Sequence, residues 1–565
     1  MNRLYRSSLQ IAEASMRSLL ITTCRDPQSP AYGMPLLESG LCEPGTYLGF
    51  AERATELYLC PDSVYYRSAE LLDFICLLCD GAEKTFHEDG TDDLLISNFH
   101  QPEYFSVPAI NTAYRLMAQL DDPTEKEKEV TESIYRVVKK AACGLLSSGF
   151  HTPNHRWVHT AALYHSYNTL HEKDERFITL AKKYLAEKID IDEHGEFSER
   201  SAGMYSAVSD SALCTIAVEA DMPELFDLVK RNLLLVYRFV EKGSLIFTQN
   251  SRRKDKGEVS SSTLFDFDRY ADICLTAYVH TRDLTFLQIL KTVLEKRTDL
   301  SPIRTLLRVY MVYPELRDVA SVDLSSVMPM EEEFHAFYPK SNIVRAKENG
   351  AVYSLLAGNP YFLHVTVGEI GISARMCSSF FAKAQFIADK IEQTADRCYR
   401  LSFHTSADYK LPFDTPPEGS ENYWSMDYKS RKSISPCEYG YTLDVAFTSN
   451  GVKLHVVTHG MENVPFKLEF AVTPGAYVRA GNAMTQATAG NFLCASGGDI
   501  RLCNYGGDSV TISGAFAKHF YHKEMRGSLP VPAGQYMIYF TDFSPVDRTV
   551  EISCERDRCW DYFHY

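Results

Sequence analysis

The densest group of side chains suited to chemistry lies in residues 149–158, which read GFHTPNHRWV. The proline of this segment predicts the first turn of a helix, so Asn154, His155 and Arg156 would stand at a helix N-terminus. Amide, imidazole and guanidinium groups in that place can together bind an anion such as a carboxylate. The alternative is structural, with Asn154 as the helix cap and Trp157 in the core.

A tyrosine at the start of another predicted helix offers a carrier of protons. Tyr205 follows the segment DEHGEFSERSAGM, in which Gly195 and Gly203 interrupt the helical pattern. A phenol beside cationic groups ionises more easily and can then take up and release a proton. Because the chain has 34 tyrosines, the alternative is that Tyr205 is one more half-buried core residue.

Two further loops carry polar side chains. Residues 248–257, TQNSRRKDKG, place Arg252 and Arg253 in a cationic loop of an otherwise acidic chain, which favours a site for an acidic substrate. The alternative for this loop is an ordinary solvated surface. A shorter loop, SNFHQPE, adds Asn98 and His100 ahead of its proline.

Composition and missing motifs narrow the classes of function. The 58 basic and 74 acidic residues leave a net charge of −16, which disfavours nucleic acid and anionic membranes as partners. The longest apolar runs are far shorter than the roughly 20 residues that span a bilayer. No Walker A, GxGxxG, HExxH or GxSxG pattern occurs in a suitable setting, which excludes phosphoryl transfer and nicotinamide chemistry.

The N-terminus and the use of cysteine predict a cytoplasmic protein. The opening segment alternates polar and apolar residues, without the apolar stretch and cleavage site of an export signal. Many of the 15 cysteines, such as Cys214 and Cys274, lie in apolar segments where a thiol packs as a small hydrophobic group. Cys76 and Cys79 form a CxxC pair inside an apolar run, which favours core packing over a metal site.

The sequence predicts helices in its first part and strands in its second, and these elements must position the candidate residues. To about residue 320 the apolar residues recur at helical spacing, and we count roughly ten helices joined in antiparallel pairs. Beyond residue 345 the period changes to two, as in the alternation through Val452, Leu454 and Val456. Paired glycines before Asp499 and Asp508 predict turns that are typical of an antiparallel sandwich.

These patterns predict an α+β multidomain chain. We expect an N-terminal (α/α) toroid of helical hairpins at 1–325, a linker at 326–345 and a C-terminal antiparallel β-sandwich at 346–565. A toroid is favoured over an extended solenoid because no repeat signature of about 34 or 40 residues is visible. A closed toroid places loops and a cleft at one end, where we expect the substrate and its catalytic residues.

Four segments, in this order, resemble the heparinase II/III-like polysaccharide lyases: HTPNHRWV, HGEFSERSAGMY, NSRRKD and FFAKAQF. The resemblance spans most of the chain and implies an α/α toroid followed by an antiparallel β-sandwich. It also implies β-elimination at a uronic acid, which breaks the bond to the 4-oxygen and leaves a 4,5-unsaturated sugar. The implied partner is an acidic oligosaccharide or polysaccharide substrate.

The resemblance implies roles for particular residues. Asn154 and His155 match the pair that neutralises the uronate carboxylate, so that an enolate can form. Tyr205 matches the tyrosine of the family that carries protons. A histidine from the sandwich usually joins it, and His404 is our candidate, with His364 as the alternative.

Other side chains are expected to hold the substrate, and no metal or cofactor is expected. The predicted substrate-binding residues are Asn98, His100, Arg156, Trp157, Arg200, Arg252 and Arg253. The arginines would bind acidic or sulfated groups, and Trp157 offers a face for a sugar ring. For Arg200 the alternative is a pair with Glu196 or Glu199 that supports the loop carrying Tyr205. Some relatives hold a structural zinc in the sandwich, but no compact ligand set is evident here.

Two other functions stay open on the sequence alone. A glycoside hydrolase on the same toroid would use two carboxylates about 5 Å or about 6.5–9.5 Å apart. Asp192, Glu193, Glu196 and Glu199 form a cluster of carboxylates, but within a single loop. A non-catalytic carbohydrate-binding protein would keep the arginines without needing Tyr205. The missing export signal leads us to expect exo action on short oligosaccharides, and the sequence carries no signal for the oligomeric state.

Overall fold

A computed structural model of the chain describes residues 2–29, 31–35, 45–92, 104–241, 245–257, 262–264, 266–296 and 306–556. The chain divides into two units. The first is Met1–Lys256 with Ser262–Met330, and the second is Glu331–Tyr565 with the short segment Gly257–Ser261. Two strands, beginning at Phe334 and at Ile343, start inside the stretch 326–345 that we predicted as a linker.

The first unit consists of helical hairpins in two concentric rings. Its described residues form twelve α-helices, α1 to α12 in chain order: Asn2–Thr22, Gly45–Leu59, Ala69–Thr85, Val107–Ala118, Glu125–Ser147, Pro153–Thr169, Glu175–Ala186, Tyr205–Glu219, Leu225–Phe239, Phe267–Thr281, Leu284–Lys296 and Leu306–Val312. A two-stranded sheet of β1 (Leu245–Phe247) and β2 (Ser262–Leu264) and a 3-10 helix at Pro314–Ser321 complete it. The even-numbered helices contact one another in turn, and α12 closes the inner ring on α2. This is the predicted (α/α) toroid, with more helices than the roughly ten expected.

Helix α5 shows why these segments are helical. Thr124 caps its N-terminus by accepting a hydrogen bond from the Glu127 amide at 3.3 Å, while the Glu127 carboxylate accepts from the Thr124 amide at 2.7 Å. The sequence predicts an apolar face from the helical spacing of six residues in this segment, and all six are buried: Val130, Ile134, Val137, Val138, Ala141 and Leu145. Within the described ranges, no helix combines the length and the apolar character needed to cross a membrane.

One predicted helix start differs from the structure. The sequence, in which Pro223 follows Asp221, predicts an N-cap at Asp221 and a helix that runs to Val240, but α9 begins at Leu225. The reason is that Asp221 has a φ of 54°, which is a left-handed turn conformation and not the extended one of an N-cap. The turn ends α8 instead of opening α9.

The inner helices surround a lumen lined by charged side chains. Arg115 of α4 donates to both carboxylate oxygens of Glu219 on α8, at 2.6 and 3.0 Å. Arg308 of α12 pairs with Asp272 of α10. A cavity of about 230 Å³ lies among these residues. Because a buried charge without its partner is costly, the two pairs favour this arrangement of the inner ring.

Two chain segments of the toroid approach closely at Gly144, in the last turns of α5. Alanine in an exposed helix is normally better than glycine by about 1 kcal/mol. Here a Cβ on Gly144 would lie within 3.0 Å of the backbone of Gly90. We therefore expect Gly144→Ala to destabilise the protein by about 1–3 kcal/mol, measured by thermal or denaturant unfolding. Gly149→Ala, where a Cβ would meet open space, is the control, and an unchanged midpoint for Gly144→Ala would contradict the close approach.

The second unit consists of two sheets that share one core. Strands β3 to β19 are, in chain order, Phe334–Tyr338, Ile343–Glu348, Ala351–Leu356, Leu363–Val367, Ile370–Ser378, Glu392–Ala395, Cys398–Lys410, Ser433–Phe447, Gly451–Gly460, Pro465–Val472, Tyr477–Ala480, Ala483–Gln486, Phe492–Cys494, Ile500–Cys503, Ser509–Ser513, Tyr536–Phe543 and Asp547–Glu555. One sheet has the order β14-β13-β16-β17-β19-β11-β10-β9-β8 and the other β15-β18-β12-β7-β6-β5-β4-β3. Neighbouring strands are antiparallel, except that β15 runs parallel to β18.

The alternation seen in the sequence explains how the two sheets share a core. Val452, Leu454 and Val456 of β11 are buried, and the first two lie opposite Ile552 and Val550 of β19. Side chains from both sheets join them in a single apolar cluster. The predicted glycine turns flank β16. The antiparallel β-sandwich is therefore confirmed.

Candidate active site

Residues from the N-terminal halves of four inner helices, α4, α6, α8 and α10, help to line one cavity of the toroid. This cavity has a volume of about 200 Å³, and its lining residues include Phe105, Val158, Val208 and Arg269. Helices α6 and α8 pack against each other, and Tyr205 is the first residue of α8. The predicted Asn154 and His155 lie in the first turn of α6, next to this cavity through the contact of His155 with Phe105.

His155 is held among aromatic rings at the rim of this cavity. Its Nδ1 lies 2.6 Å from the hydroxyl of Tyr104, and its ring centroid is 4.8 Å from that of Phe105 and 4.6 Å from that of His151. Burial, helped by the charges of His151 and Arg253, lowers the pKa of His155 to about 4. The imidazole is therefore neutral at neutral pH, with one nitrogen as donor and the other as acceptor.

The hydrogen bond between the Tyr104 hydroxyl and Nδ1 of His155 is linked to which nitrogen of the imidazole carries the proton. If the phenol donates to Nδ1, the proton is on Nε2, which can then donate to a ligand. We expect Tyr104→Phe to raise the pKa of His155 by about half a unit to one unit, because the neutral imidazole loses a hydrogen bond. The measurement is an NMR titration of the histidine, with Tyr164→Phe on the same helix as control. An unchanged or lower pKa would contradict this tautomer.

Asn154 presents an amide donor that no described residue engages. Its Oδ1 accepts a hydrogen bond from the Thr152 hydroxyl at 2.8 Å, and the residue is only 1% exposed. Among the described residues, no acceptor lies within hydrogen-bond distance of its Nδ2. A buried donor without a partner costs about 1–3 kcal/mol, which an acceptor on a ligand would recover.

A guanidinium covers the ring of Tyr205. The Cζ of Arg253 lies 3.9 Å from the centroid of that ring, and one of its nitrogens pairs with the buried carboxylate of Glu199. Glu199 comes from the loop that precedes Tyr205, so the arginine connects a second loop to this one. The same positive charge acts on His155, where it helps to lower the pKa.

Hydrogen bonds join the loop before α8 to the loop that carries Arg253. The Asn250 side chain donates to Glu196 at 2.8 Å. Asp255 accepts hydrogen bonds from Ser201 at 2.7 Å and from Ser251 at 2.5 Å. The second and third segments singled out in the sequence are therefore neighbours, and each positions the polar groups of the other.

One buried acid in this pair of loops makes stability depend on pH. Burial raises the pKa of Glu196 to about 8 from the usual 4.5. Between these values the folded chain keeps a proton that the unfolded chain releases, so stability falls as the pH rises from about 4.5 to about 8, with a slope approaching about 1.4 kcal/mol per pH unit.

Replacing Glu196 by its neutral isostere should remove the contribution of this residue to the pH dependence of stability. We expect the free energy of unfolding of Glu196→Gln to exceed that of the parent by an amount that grows up to about pH 8 and is constant above it. Denaturant unfolding at a series of pH values measures this difference. Glu193→Gln, at an exposed position of the same loop, is the control. Parallel curves for Glu196→Gln and the parent would contradict the assignment.

The groups at this end of the toroid are suited to two tasks. A free amide donor and a neutral imidazole can hold an anion without an ion pair. A phenol beside a guanidinium can exchange protons. Among the described residues, no group of three or more His, Cys, Asp and Glu side chains is arranged to hold a metal ion.

Comparison with known proteins gives no match by sequence but several by structure. No protein-family model and no curated protein matches the chain. The Paenibacillus xanthan lyase aligns with a TM-score of 0.60 at 9% identity, over 98% of this chain and 57% of its own. Chondroitin AC lyase of Streptomyces coelicolor A3, in complex with chondroitin sulphate, aligns with a TM-score of 0.57 at 12% identity, over 98% of this chain and 80% of its own. The heparan sulfate lyase HepC from Pedobacter heparinus aligns with a TM-score of 0.52 at 8% identity, over 91% of this chain and 76% of its own.

The chain has the polysaccharide lyase fold. These enzymes share the helical toroid followed by antiparallel sheets that is described above. The chain spans 57% of the length of the Paenibacillus xanthan lyase, so that enzyme has a large part with no counterpart here. At 8–12% identity the likeness concerns the fold.

Two residues predicted to bind substrate have structural partners within this lyase fold. Trp157 is completely buried, and its indole nitrogen donates to Asp190 at 2.7 Å. Arg156 donates to Glu187 at 2.8 Å and to Asp190 at 3.2 Å, with its Cζ 4.2 Å from the Trp157 ring centroid. The indole has no face open to a sugar, so the structural alternative, core packing, applies to Trp157.

Arg200 and Arg252 lie close enough for the charge of Arg252 to act on Arg200. Arg200 is half-buried, and burial together with the charge of Arg252 lowers the pKa of its guanidinium, while Glu196 opposes the shift. Arg252 is exposed, with one nitrogen 3.4 Å from the carbonyl oxygen of Ser198. Both arginines stay predicted ligands for acidic groups.

Four predicted residues remain: two histidines of the second unit, and Asn98 with His100. His404 of β9 has a side chain that is 64% exposed and lies 3.5 Å from the carboxylate of Glu438. His364 of β6 is buried and hydrogen-bonded within its sheet. Exposure therefore favours His404 over His364 as a carrier of protons. Asn98 and His100 lie outside the described residues.

Sequence reasoning missed two partners of the site. Tyr104 directly follows the segment SNFHQPE. Its hydrogen bond with His155 joins residues 51 positions apart, and no local sequence pattern predicts it. Glu199 was considered as a partner of Arg200, whereas the structure pairs it with Arg253. Both contacts join residues that are far apart in the sequence, and they form only when the helices of the toroid pack together.

Proposed function

We propose that this chain is a heparinase II/III-like polysaccharide lyase that cleaves a uronic-acid-containing glycan by β-elimination. The observation that carries the proposal is the meeting of an unused amide donor, a neutral imidazole, a phenol and a guanidinium at one end of the toroid. The fold shared with polysaccharide lyases supports it. The complex of the Streptomyces coelicolor enzyme with chondroitin sulphate supports an acidic glycan as substrate.

The first step is neutralisation of the uronate carboxylate. Removal of the C5 proton places negative charge next to a group that is already negative, which makes that proton weakly acidic. Hydrogen bonds from Nδ2 of Asn154 and Nε2 of His155 to the carboxylate oxygens would stabilise the enolate. Donors held in place beforehand are effective here because they need no reorganisation when the charge develops.

The second step moves two protons. Tyr205, as phenolate, would take the C5 proton, and the electrons of that C–H bond pass into the enolate. They then form the double bond between C4 and C5 as the bond from C4 to the glycosidic oxygen breaks. That oxygen takes a proton from the phenol just formed. The positive charge of Arg253 beside the ring offsets the charge of the phenolate.

The acidic side chains of the loop before α8 are poorly suited to hydrolysis. Glu196 is buried and keeps its proton at neutral pH, and it accepts a hydrogen bond from Asn250. Glu199 is paired with Arg253. A glycoside hydrolase needs one carboxyl group to protonate the leaving oxygen and another on the opposite side of the bond. Two groups from one loop do not meet this need.

The experiment is to mix the purified protein with chondroitin sulfate, heparan sulfate, xanthan, alginate and oligosaccharides prepared from them. Ultraviolet absorbance and new reducing ends are followed together. Elimination gives new reducing ends with the absorbance of a conjugated unsaturated uronate. New reducing ends without that absorbance would overturn the proposal in favour of hydrolysis, and no reaction with any of these glycans would reject the activity on them.

A further inference from the structure

The connection between β9 and β10 is a loop that presents aromatic rings to solvent. It covers residues 411–432, whereas hairpin connections usually have about two to five residues. Trp424 is 82% exposed and its neighbour Tyr423 is 48% exposed. Two large aromatic side chains exposed side by side are unfavourable in water and usually mark a binding surface.

The loop has an ordered core of its own that supports these rings. Met426 is buried, and one nitrogen of Arg431 lies 3.6 Å from its sulfur. The guanidinium of Arg431 also stacks on the ring of Phe413, with its Cζ 4.2 Å from the centroid. The Met426 amide donates to the Asn422 carbonyl at 3.1 Å, which closes a turn around Trp424.

Three rings of the loop form a corner with two flat faces. Tyr423 and Tyr428 are stacked, with centroids 5.2 Å apart and planes 19° from parallel. The indole of Trp424 stands at 89° to the first and 82° to the second. A pyranose ring has an apolar C–H face that lies flat on an aromatic ring, while its hydroxyls project sideways. A right-angled pair of faces suits successive rings of a sugar chain, which are twisted relative to each other.

The surroundings of the corner are polar and charged. Asn422 and Lys429 are exposed next to the rings and can bind hydroxyl or acidic groups. Glu421 and Asp427 are exposed on the same loop, whose four acidic and three basic residues leave it a net charge of −1. Stacking must therefore supply most of the affinity, and binding should depend only weakly on salt. A protein interface of similar size would need a wider apolar patch than three rings among charged residues.

We propose that Tyr423, Trp424 and Tyr428 form a second glycan-binding site, on the loop between β9 and β10, which holds an acidic polysaccharide by stacking on its sugar rings. The choice of an acidic polysaccharide rests on the proposed function. The site would keep a long chain attached to the protein between cleavage events.

Tryptophan fluorescence tests the site directly, because Trp424 is exposed and Trp157 is buried. The third tryptophan, Trp560, lies outside the described residues and is replaced in all proteins compared by Trp560→Phe. Acrylamide quenching is measured with chondroitin sulfate, heparan sulfate and xanthan in turn. We expect at least one polymer to protect the indole that Trp424→Phe removes, at both low and high salt.

Matched variants identify the surface that gives this protection. Tyr423→Ala is expected to raise the polymer concentration needed for half-protection about three- to tenfold, because one stacking face is lost. Tyr505→Ala, at a position 84% exposed, is the control and should leave it unchanged. Failure of all three polymers to protect, or protection that appears only through self-association seen by light scattering, would overturn the proposal.

The test separates this proposal from the proposed function. Cleavage of a polymer when none of the three protects Trp424 would overturn the second site and leave the lyase activity standing. Protection of Trp424 when none of the glycans is cleaved would reject the lyase activity on them and leave the second site standing. Tyr205→Phe should keep the protection of Trp424, since it removes one hydroxyl and leaves the three rings of this loop unchanged.

Discussion

Replacing Tyr205 by phenylalanine is expected to abolish turnover while substrate still binds. The variant loses only the hydroxyl that carries protons, and general acid–base catalysis by one group typically contributes about 10²- to 10⁴-fold. The ring that lies under Arg253 at 3.9 Å is kept, so the loop pair should fold unchanged. The loss should therefore appear in kcat, with the dissociation constant for substrate changed little.

The control for this variant is Tyr164→Phe, which removes the hydroxyl of a buried tyrosine on α6. Turnover of that variant should match the parent. If Tyr205→Phe kept the turnover of the parent, another group would carry the protons and the mechanism would be wrong. Loss of binding and turnover together, with the fold intact, would instead assign Tyr205 to substrate binding.

Removing the unused amide donor of Asn154 is expected to lower kcat by about 10²- to 10³-fold. This is the usual effect of deleting one preorganised donor to a developing negative charge. Asn154→Ala deletes the side chain, and Asn154→Asp keeps its shape while replacing the donor by an acceptor. Both variants should lose activity, because the aspartate oxygen would repel the uronate carboxylate instead of binding it.

Asn168→Ala is the control for this pair, since Asn168 is near the opposite end of α6 and donates to Glu219 at 2.8 Å. Its effect should be confined to stability. Full activity of Asn154→Asp would contradict the role of the amide. Rates are to be compared at saturating substrate, and thermal unfolding shows whether each variant is folded.

The helices and strands were predictable because the sequence patterns that indicate them lie within single elements. The apolar face and the capping residues of α5 lie within one helix, and the alternation along β11 lies within one strand. The start of α9 was predicted wrongly because a proline near an aspartate is typical of a helix N-terminus. The left-handed conformation of Asp221 depends on how α8 ends, which the pattern does not show.

The candidate site was predictable only where a single helix start defines it. The proline before Asn154 places that residue and His155 in a first turn. The pairing of Arg253 with Glu199 joins positions 54 residues apart, and it depends on the hairpins of the toroid packing in order. Trp157 illustrates the limit of reasoning from residue type, because an indole suits a sugar site and a core equally well until its burial is known.

The most direct test of the lyase mechanism is the mass of the products from a defined uronate oligosaccharide. In elimination the glycosidic oxygen leaves with one fragment, and the other fragment gains a double bond, so no water is added. The lyase mechanism predicts that the masses of the two products add up to the mass of the substrate. Products whose masses exceed that sum by one water would show hydrolysis and contradict it.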